Sequence, residues 1–317
     1  MSSHFRNVSG ENKAPTIFSY SSNMSLKIID THQHLWDPGN INLPWLSGIP
    51  ELNRRFSNED YRLYTACQPG SNFDYTVEKT LYMEVDVAEE CIQTEIDEAL
   101  KMCRSRECPQ VGLIASCRPG MKAFPRSLDF ARSNPEIKGF RRVLHTDDTP
   151  PGYCLQREFI LDMKRLGHAS LPFDLCVRRE ELADVKRLSA ACEQTQFVLD
   201  HCGNADARMD ENEFDLWQRQ MRSIAECTNV VCKVSGFVWT IQNEKWSAEA
   251  DIEPILEVVF EAFGEERIVF GGDWPVCTLS RLTFQQWVDA LVRFGRSCGP
   301  GTLEKMFQKN ACAIYRL

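Results

Sequence analysis

The sequence predicts a (β/α)8 barrel, an α/β fold of TIM type. Two observations carry this. Short apolar runs alternate with amphipathic stretches along most of the 317 residues, as parallel strands joined by crossover helices do. Several of those runs also end abruptly in a histidine or an acid close to a glycine. In a barrel of this type, functional groups come from the carboxyl ends of the strands.

Strand candidates lie at 26–31, 79–86, 110–116, 137–143, 170–176, 195–200, 229–234 and 266–271. Most are apolar without clean alternation, as expected of strands buried on both faces. Helical stretches are expected at 89–104, 122–133, 155–167, 179–193, 212–227, 250–263 and 283–297. Asp97-Glu-Ala-Leu-Lys-Met-Cys103 and Arg179-Glu-Glu-Leu-Ala-Asp-Val-Lys-Arg-Leu188 show why: apolar residues recur every three to four positions. The segment 36–76 holds aromatic, Pro and Gly residues with little periodicity. It reads as a long loop after strand 1, positioned as a lid or pocket wall. Residues 1–25 read as a disordered tail, and 26–317 as the barrel domain.

Hydrophobic residues make up 43% of the chain, enough for a large core, and the formal net charge is −9. With no basic run or basic-aromatic stripe, nucleic acid is excluded as a partner, and so is an anionic membrane surface. No stretch reaches transmembrane length. The first residues lack the apolar centre of a signal peptide, so a cytoplasmic location is expected. The fourteen cysteines are scattered and form no Cys-x-x-Cys pair. They read as reduced thiols packed as small apolar side chains.

The chemistry concentrates at three strand ends. His32 and His34, in Asp30-Thr-His-Gln-His-Leu-Trp36, are two residues apart, so a strand projects both to one face. Converging imidazoles suit a metal, a carbonyl oxygen or a proton in transit. Gln196-Phe-Val-Leu-Asp-His-Cys-Gly203 puts His201 at the exit of strand 6. Arg267-Ile-Val-Phe-Gly-Gly-Asp-Trp-Pro275 puts Asp273 past strand 8, where two glycines permit a sharp turn or close approach. Strands 1 and 8 adjoin in a closed barrel, so Asp273 should lie beside the histidine pair. On strand 4, Arg141 should face the mouth and Arg142 the opposite side. His145 shares the parity of Arg141.

Six segments in order carry a resemblance. They are Asp30-Thr-His-Gln-His-Leu-Trp-Asp37, Lys138-Gly-Phe-Arg-Arg-Val-Leu144, Val198-Leu-Asp-His-Cys-Gly203, Val231-Cys-Lys-Val-Ser-Gly236, Val269-Phe-Gly-Gly-Asp-Trp-Pro-Val276 and Asn310-Ala-Cys-Ala-Ile-Tyr315. From residue 26 to the C-terminus the chain resembles the amidohydrolase superfamily. Within it, the chain is most similar to the amidohydrolase-related branch that holds sugar-lactone hydrolases of the L-fuconolactone and L-rhamnonolactone type. The resemblance implies one metal or two, ringed by the strand-1 histidines, histidines on strands 5 and 6, and a strand-8 aspartate. Carried over by position, these are His32, His34, His201 and Asp273. The chain departs at strand 5, where Phe173 and Asp174 replace the histidine, and at strand 4, which lacks the bridging lysine of two-metal members. The expectation is therefore no required cofactor, or one divalent cation on His32, His34, His201 and Asp273, with zinc foremost.

The function expected is hydrolysis of a sugar-acid (aldono-) lactone. A lactone is an activated ester that does not require a Lewis acid. Asp273 would act as general base and return the proton to the ring oxygen. His32, His34 and His201 would hydrogen-bond the oxyanion, or a metal would do so. Expected substrate contacts are Arg141, Trp36, Trp274, Lys233 and Glu84, with Lys233 alternatively pairing with Asp273 and Glu84 alternatively orienting a histidine. The alternative is decarboxylation of an aromatic or unsaturated acid on the same barrel, against which the missing strand-5 histidine counts.

Overall fold

The computed structural model describes residues 25–69, 71 and 73–317. Apart from Ser25, the expected N-terminal tail lies outside the described residues.

Eight parallel strands follow one another in chain order around a barrel. They are β1 (Leu26–Gln33), β2 (Tyr75–Met83), β3 (Gln110–Ser116), β4 (Ile137–Val143), β5 (Phe173–Cys176), β6 (Phe197–Leu199), β7 (Val230–Val234) and β8 (Ile268–Phe270). The ring closes just beyond the last strand. The Asp273 amide donates to the His32 carbonyl and the His34 amide to the Trp274 carbonyl, each at 2.8 Å. Closure thus joins the very residues expected to carry the chemistry.

Side-chain alternation sorts the core into two layers. Leu81, Met83, Ile114, Val198, Val231 and Val269 fill the barrel interior together with Tyr315. Neighbours such as Leu113, Phe140, Phe173 and Phe197 point outward and pack under the helices. The helix Phe284–Cys298 is typical. Its Thr283–Gln286 capping box satisfies first-turn amides, and it buries Trp287, Val288, Leu291 and Val292 on one face. The final helix, Asn310–Tyr315, closes the N-terminal end of the barrel, with Asn310 Nδ2 donating to the carbonyls of Glu265 and Ile268.

Two expected strand starts shift by three residues or more. β2 begins at Tyr75 rather than 79, because Tyr75–Val77 pair with Leu26–Ile28 where exposed Thr76, Glu78 and Lys79 hide the apolar pattern. β5 begins only at Phe173, after Pro172, which has no ladder donor. The 36–76 segment is also less irregular than its sequence suggests. It contains the helix Asn58–Thr65, started by a Ser57–Asp60 capping box, and Tyr61 of that helix donates to Asp30 Oδ2 at 2.7 Å. All fourteen cysteines are free thiols, seven of them buried. No helix among the described residues is long and apolar enough to cross a membrane.

Candidate active site

The carboxyl ends of the strands open into a cavity of about 530 Å³. At its floor, His32 Nε2 and His34 Nε2 each lie 3.5 Å from Asp273 Oδ1. His34, Asp273, His201 and Arg141 line the cavity. His32 stands just behind them, fully buried. The close approach needs small neighbours: a Cβ on Gly271 would sit 2.6 Å from that of His32, and one on Gly236 2.1 Å from His201 Nδ1. Strain gathers here as well. Asp86, His201 and Asp273 all hold left-handed backbone, with φ of 51°, 57° and 54°. Non-glycine residues adopt that region mainly where the surrounding structure forces them to, often at functional sites.

Hydrogen-bond partners decide what each ring can do. His34 Nδ1 lies 3.0 Å from the Met83 carbonyl. A carbonyl only accepts, so Nδ1 carries the proton and Nε2 its lone pair. Burial, with Arg141 adding to it, lowers the His34 pKa to about 3, so the ring stays neutral. His34 therefore cannot donate from Nε2, contrary to the expected oxyanion role. It presents an acceptor beside the Asp273 carboxylate. Asp273 itself is pushed up to about 6 by burial, with His201 and Arg141 working the other way. His201 Nδ1 pairs with Ser235 Oγ at 3.0 Å, a hydroxyl that can donate or accept, so Nε2 is free to donate.

Arg141 spans the mouth from β4 to the end of β2. Its Nε donates to Glu84 Oε1 at 2.7 Å and its Nη2 to the Glu84 carbonyl at 2.6 Å. Its Nη1 is 3.3 Å from His32 Nε2. Arg142 turns away, to Tyr153 Oη at 2.9 Å. Behind His32 lies a buried ionic cluster. Lys233 Nζ pairs with Asp174 Oδ2, with Asp200 Oδ1 at 3.0 Å, and approaches His32 Nδ1 at 3.4 Å. Tyr315 donates to Asp174 Oδ2 at 2.9 Å from below. Burial would raise Asp200, but Lys233 and His32 beside it hold its pKa well below the usual carboxylate range.

Three expected substrate contacts therefore sit elsewhere. Lys233 is fully enclosed and serves Asp174 and Asp200, not the cavity and not Asp273. Glu84 is held by Arg141 and does not line the cavity. Trp274 packs against Phe56 and Tyr61 of the β1–β2 segment, on the far side of Asp273. Trp36 does line the cavity, as do His145 and Asp86. Asp86 and Asp200 were missed, although each is an acid at a strand exit, Asp200 directly before His201.

Residues 29–317 match the amidohydrolase family. The chain belongs to that family. Among characterised relatives, it is 30% identical to an L-fucono-1,5-lactonase of Burkholderia multivorans over 46% of this chain and 51% of that protein, so that match spans about half the relative's length. It is 24% identical to an L-rhamnono-gamma-lactonase of Scheffersomyces stipitis over 92% of this chain and 99% of that one. In fold it is similar to a zinc-bound amidohydrolase structure from Burkholderia multivorans, with a TM-score of 0.78, 21% identity, and coverage of 92% of this chain and 99% of that one.

The donor set at the cavity floor fits one divalent ion. Ligand atoms of His32, His34 and Asp273 lie within 4.8 Å of one another, and the bare Nε2 of His34 is the form a metal takes. A second group, His32, Asp200 and His201, already faces an internal cation: the Lys233 ammonium lies 3.0 Å from Asp200 Oδ1.

Proposed function

We propose that the protein hydrolyses the lactone ring of a neutral sugar acid, with Asp273 as the base. The observation that carries this reading is the Asp273 carboxylate, buried at the cavity floor 3.5 Å from both His32 and His34, where burial pushes its pKa up to about 6. A base poised near neutrality both takes and returns a proton efficiently. Similarity to the two lactonases supports the same reading.

The residues act in sequence. A water on the cavity side of Asp273 and His34 offers a hydrogen to the Asp273 carboxylate and one to the lone pair of His34 Nε2. Its oxygen attacks the lactone carbonyl as Asp273 takes one proton. The Arg141 guanidinium and His201 Nε2–H hydrogen-bond the oxyanion that forms. As the tetrahedral intermediate collapses, the ring C–O bond breaks, and protonated Asp273 delivers its proton to the departing ring oxygen. The product is a hydroxy acid, which ionises and releases one proton to solvent. A divalent ion, where bound, would be held by His32, His34 and Asp273 and would add polarisation of the carbonyl.

The state of the arginines favours an uncharged substrate. Among the cavity residues, Glu84 offsets the charge of Arg141, Glu181 that of Arg178, which also donates to three backbone carbonyls, and Glu213 that of Arg179. A carboxylate substrate, as the decarboxylase alternative requires, would find no unpaired guanidinium among the described residues lining the cavity. The test is a panel of neutral aldonolactones assayed for proton release, beside aromatic acids assayed for carbon dioxide. Proton release from lactones is expected, and carbon dioxide release without lactone turnover would overturn the reading.

A further inference from the structure

We propose that the substrate carries a hydrocarbon arm beyond its lactone ring, seated between the β1–β2 segment and the turns after β7 and β8. This rests on the lactonase reading and adds a class of substituent to it. The cavity has two unlike walls. Along the exits of β2 and β4 stand Asp86, His145 and Thr146, Asp86 next to the Val85 whose carbonyl Trp45 engages. The β1–β2 segment contributes Trp36, Trp45 and Ile49, and the turns after β7 and β8 contribute Trp239, Val276 and Leu279.

The tryptophans on that side offer little to a hydroxyl. Trp36 Nε1 donates to the Leu52 carbonyl at 3.2 Å, and Trp45 Nε1 donates to the Val85 carbonyl at 2.9 Å. The two rings meet edge to face with centroids 5.3 Å apart. Their only polar hydrogens are thus spent on backbone, and what remains toward the cavity is carbon. A sugar hydroxyl pressed there would lose water and gain no partner. A methylene or aryl group would gain from the same surface.

Trp239 extends this wall to the rim. It is 41% exposed, alone among the strongly exposed large apolar side chains of the described residues in lining the cavity. Its place is set by the turn Phe237–Thr240, where its amide donates to the Gly236 carbonyl at 3.0 Å. An indole held in water at a cavity mouth is surface that a bound apolar group would cover. The cavity also exceeds what one lactone ring occupies, so ring and arm fit together.

The test compares plain γ-lactones with alkyl chains of increasing length, beside unsubstituted aldonolactones, with the full-length protein. We expect kcat/KM to rise about three- to fourfold per added methylene until the wall is covered, the gain that burial of one CH2 gives. In Trp239→Ser, the ratio of long-chain to short-chain kcat/KM should fall several-fold, and Trp45→Ser gives a second reading of the same ratio should the first variant fold poorly. A kcat/KM that stays flat or falls with chain length, while aldonolactones turn over, overturns the arm and leaves lactone hydrolysis standing. Failure to open any lactone in the panel overturns both.

Discussion

Asp273 Oδ1 lies 3.5 Å from His34 Nε2, and the His34 proton is on the other nitrogen, held by the Met83 carbonyl. Two acceptors therefore stand side by side at the cavity floor, 3.5 Å apart, close enough for one water lying on their cavity side to reach both. Such a pair orients a water for deprotonation, and it gives the site a defined pH response.

Asp273 works ionised, and burial lifts its pKa to about 6. Log kcat/KM on a neutral lactone should be level above that value and fall with unit slope below it. His34, lowered to about 3, adds nothing to that limb. Stability follows the same group with opposite sense. A carboxyl whose folded pKa is raised destabilises the fold once ionised, so its contribution worsens as pH rises from about 4 to about 6. Rate measurements from pH 4 to 9 check the first part. A profile flat to pH 4 would contradict it.

Lys233 bridges two buried acids, Asp174 and Asp200, with Arg141 reaching Asp200 at 3.6 Å from the other side. Lys233→Met should therefore destabilise the fold by about 3–5 kcal/mol, because it strands buried charge. Adding Asp174→Asn should restore part of the loss, since one of the stranded charges then disappears. Urea unfolding of the two variants measures both effects. A loss below about 1 kcal/mol for Lys233→Met would show the cluster to be better solvated than its burial implies.

Activity should survive exhaustive chelation. Although the donors of His32, His34 and Asp273 fit one ion, Arg141 Nη1 lies 3.3 Å from His32 Nε2 and Lys233 Nζ lies 3.4 Å from His32 Nδ1. Cations of the chain thus already face both ring nitrogens and weaken His32 as a ligand. Assay with metal analysis before and after chelation decides. Complete loss, restored by about one equivalent of a divalent ion, would contradict the expectation.

The barrel and the placing of His32, His34, His201, Arg141 and Asp273 could be read from the sequence because each rests on a short-range regularity. Apolar runs define strands, parity separates Arg141 from Arg142, and closure joins strand 8 to strand 1. Lys233 was expected to need a partner because it sits in an apolar strand, but the strand does not say which partner it finds. Its partners, Asp174 on β5 and Asp200 just past β6, are remote in sequence and do not line the cavity. Trp274 was expected at the substrate from its place beside Asp273 alone, which gives no direction for the ring; it packs on Phe56 and Tyr61. The His34 tautomer depends on a carbonyl of β2, which no motif in β1 encodes. Asp86 lacks a motif altogether, and its pKa of about 7, raised by burial and by Glu84, appears only once the fold brings them together.

The central claim is that Asp273 is the base for lactone opening, and Asp273→Asn tests it most directly. The amide keeps the shape and removes the basicity. The variant should fold, and at pH 7 it should melt above the unaltered protein, by an amount corresponding to at most about 3 kcal/mol, because it lacks the buried charge. Its kcat on the lactone best turned over should drop by about 10²- to 10⁴-fold with KM little changed. Near-full turnover by a folded Asp273→Asn protein would contradict the account and move the base to another acid at the mouth, with Asp86 the first to examine.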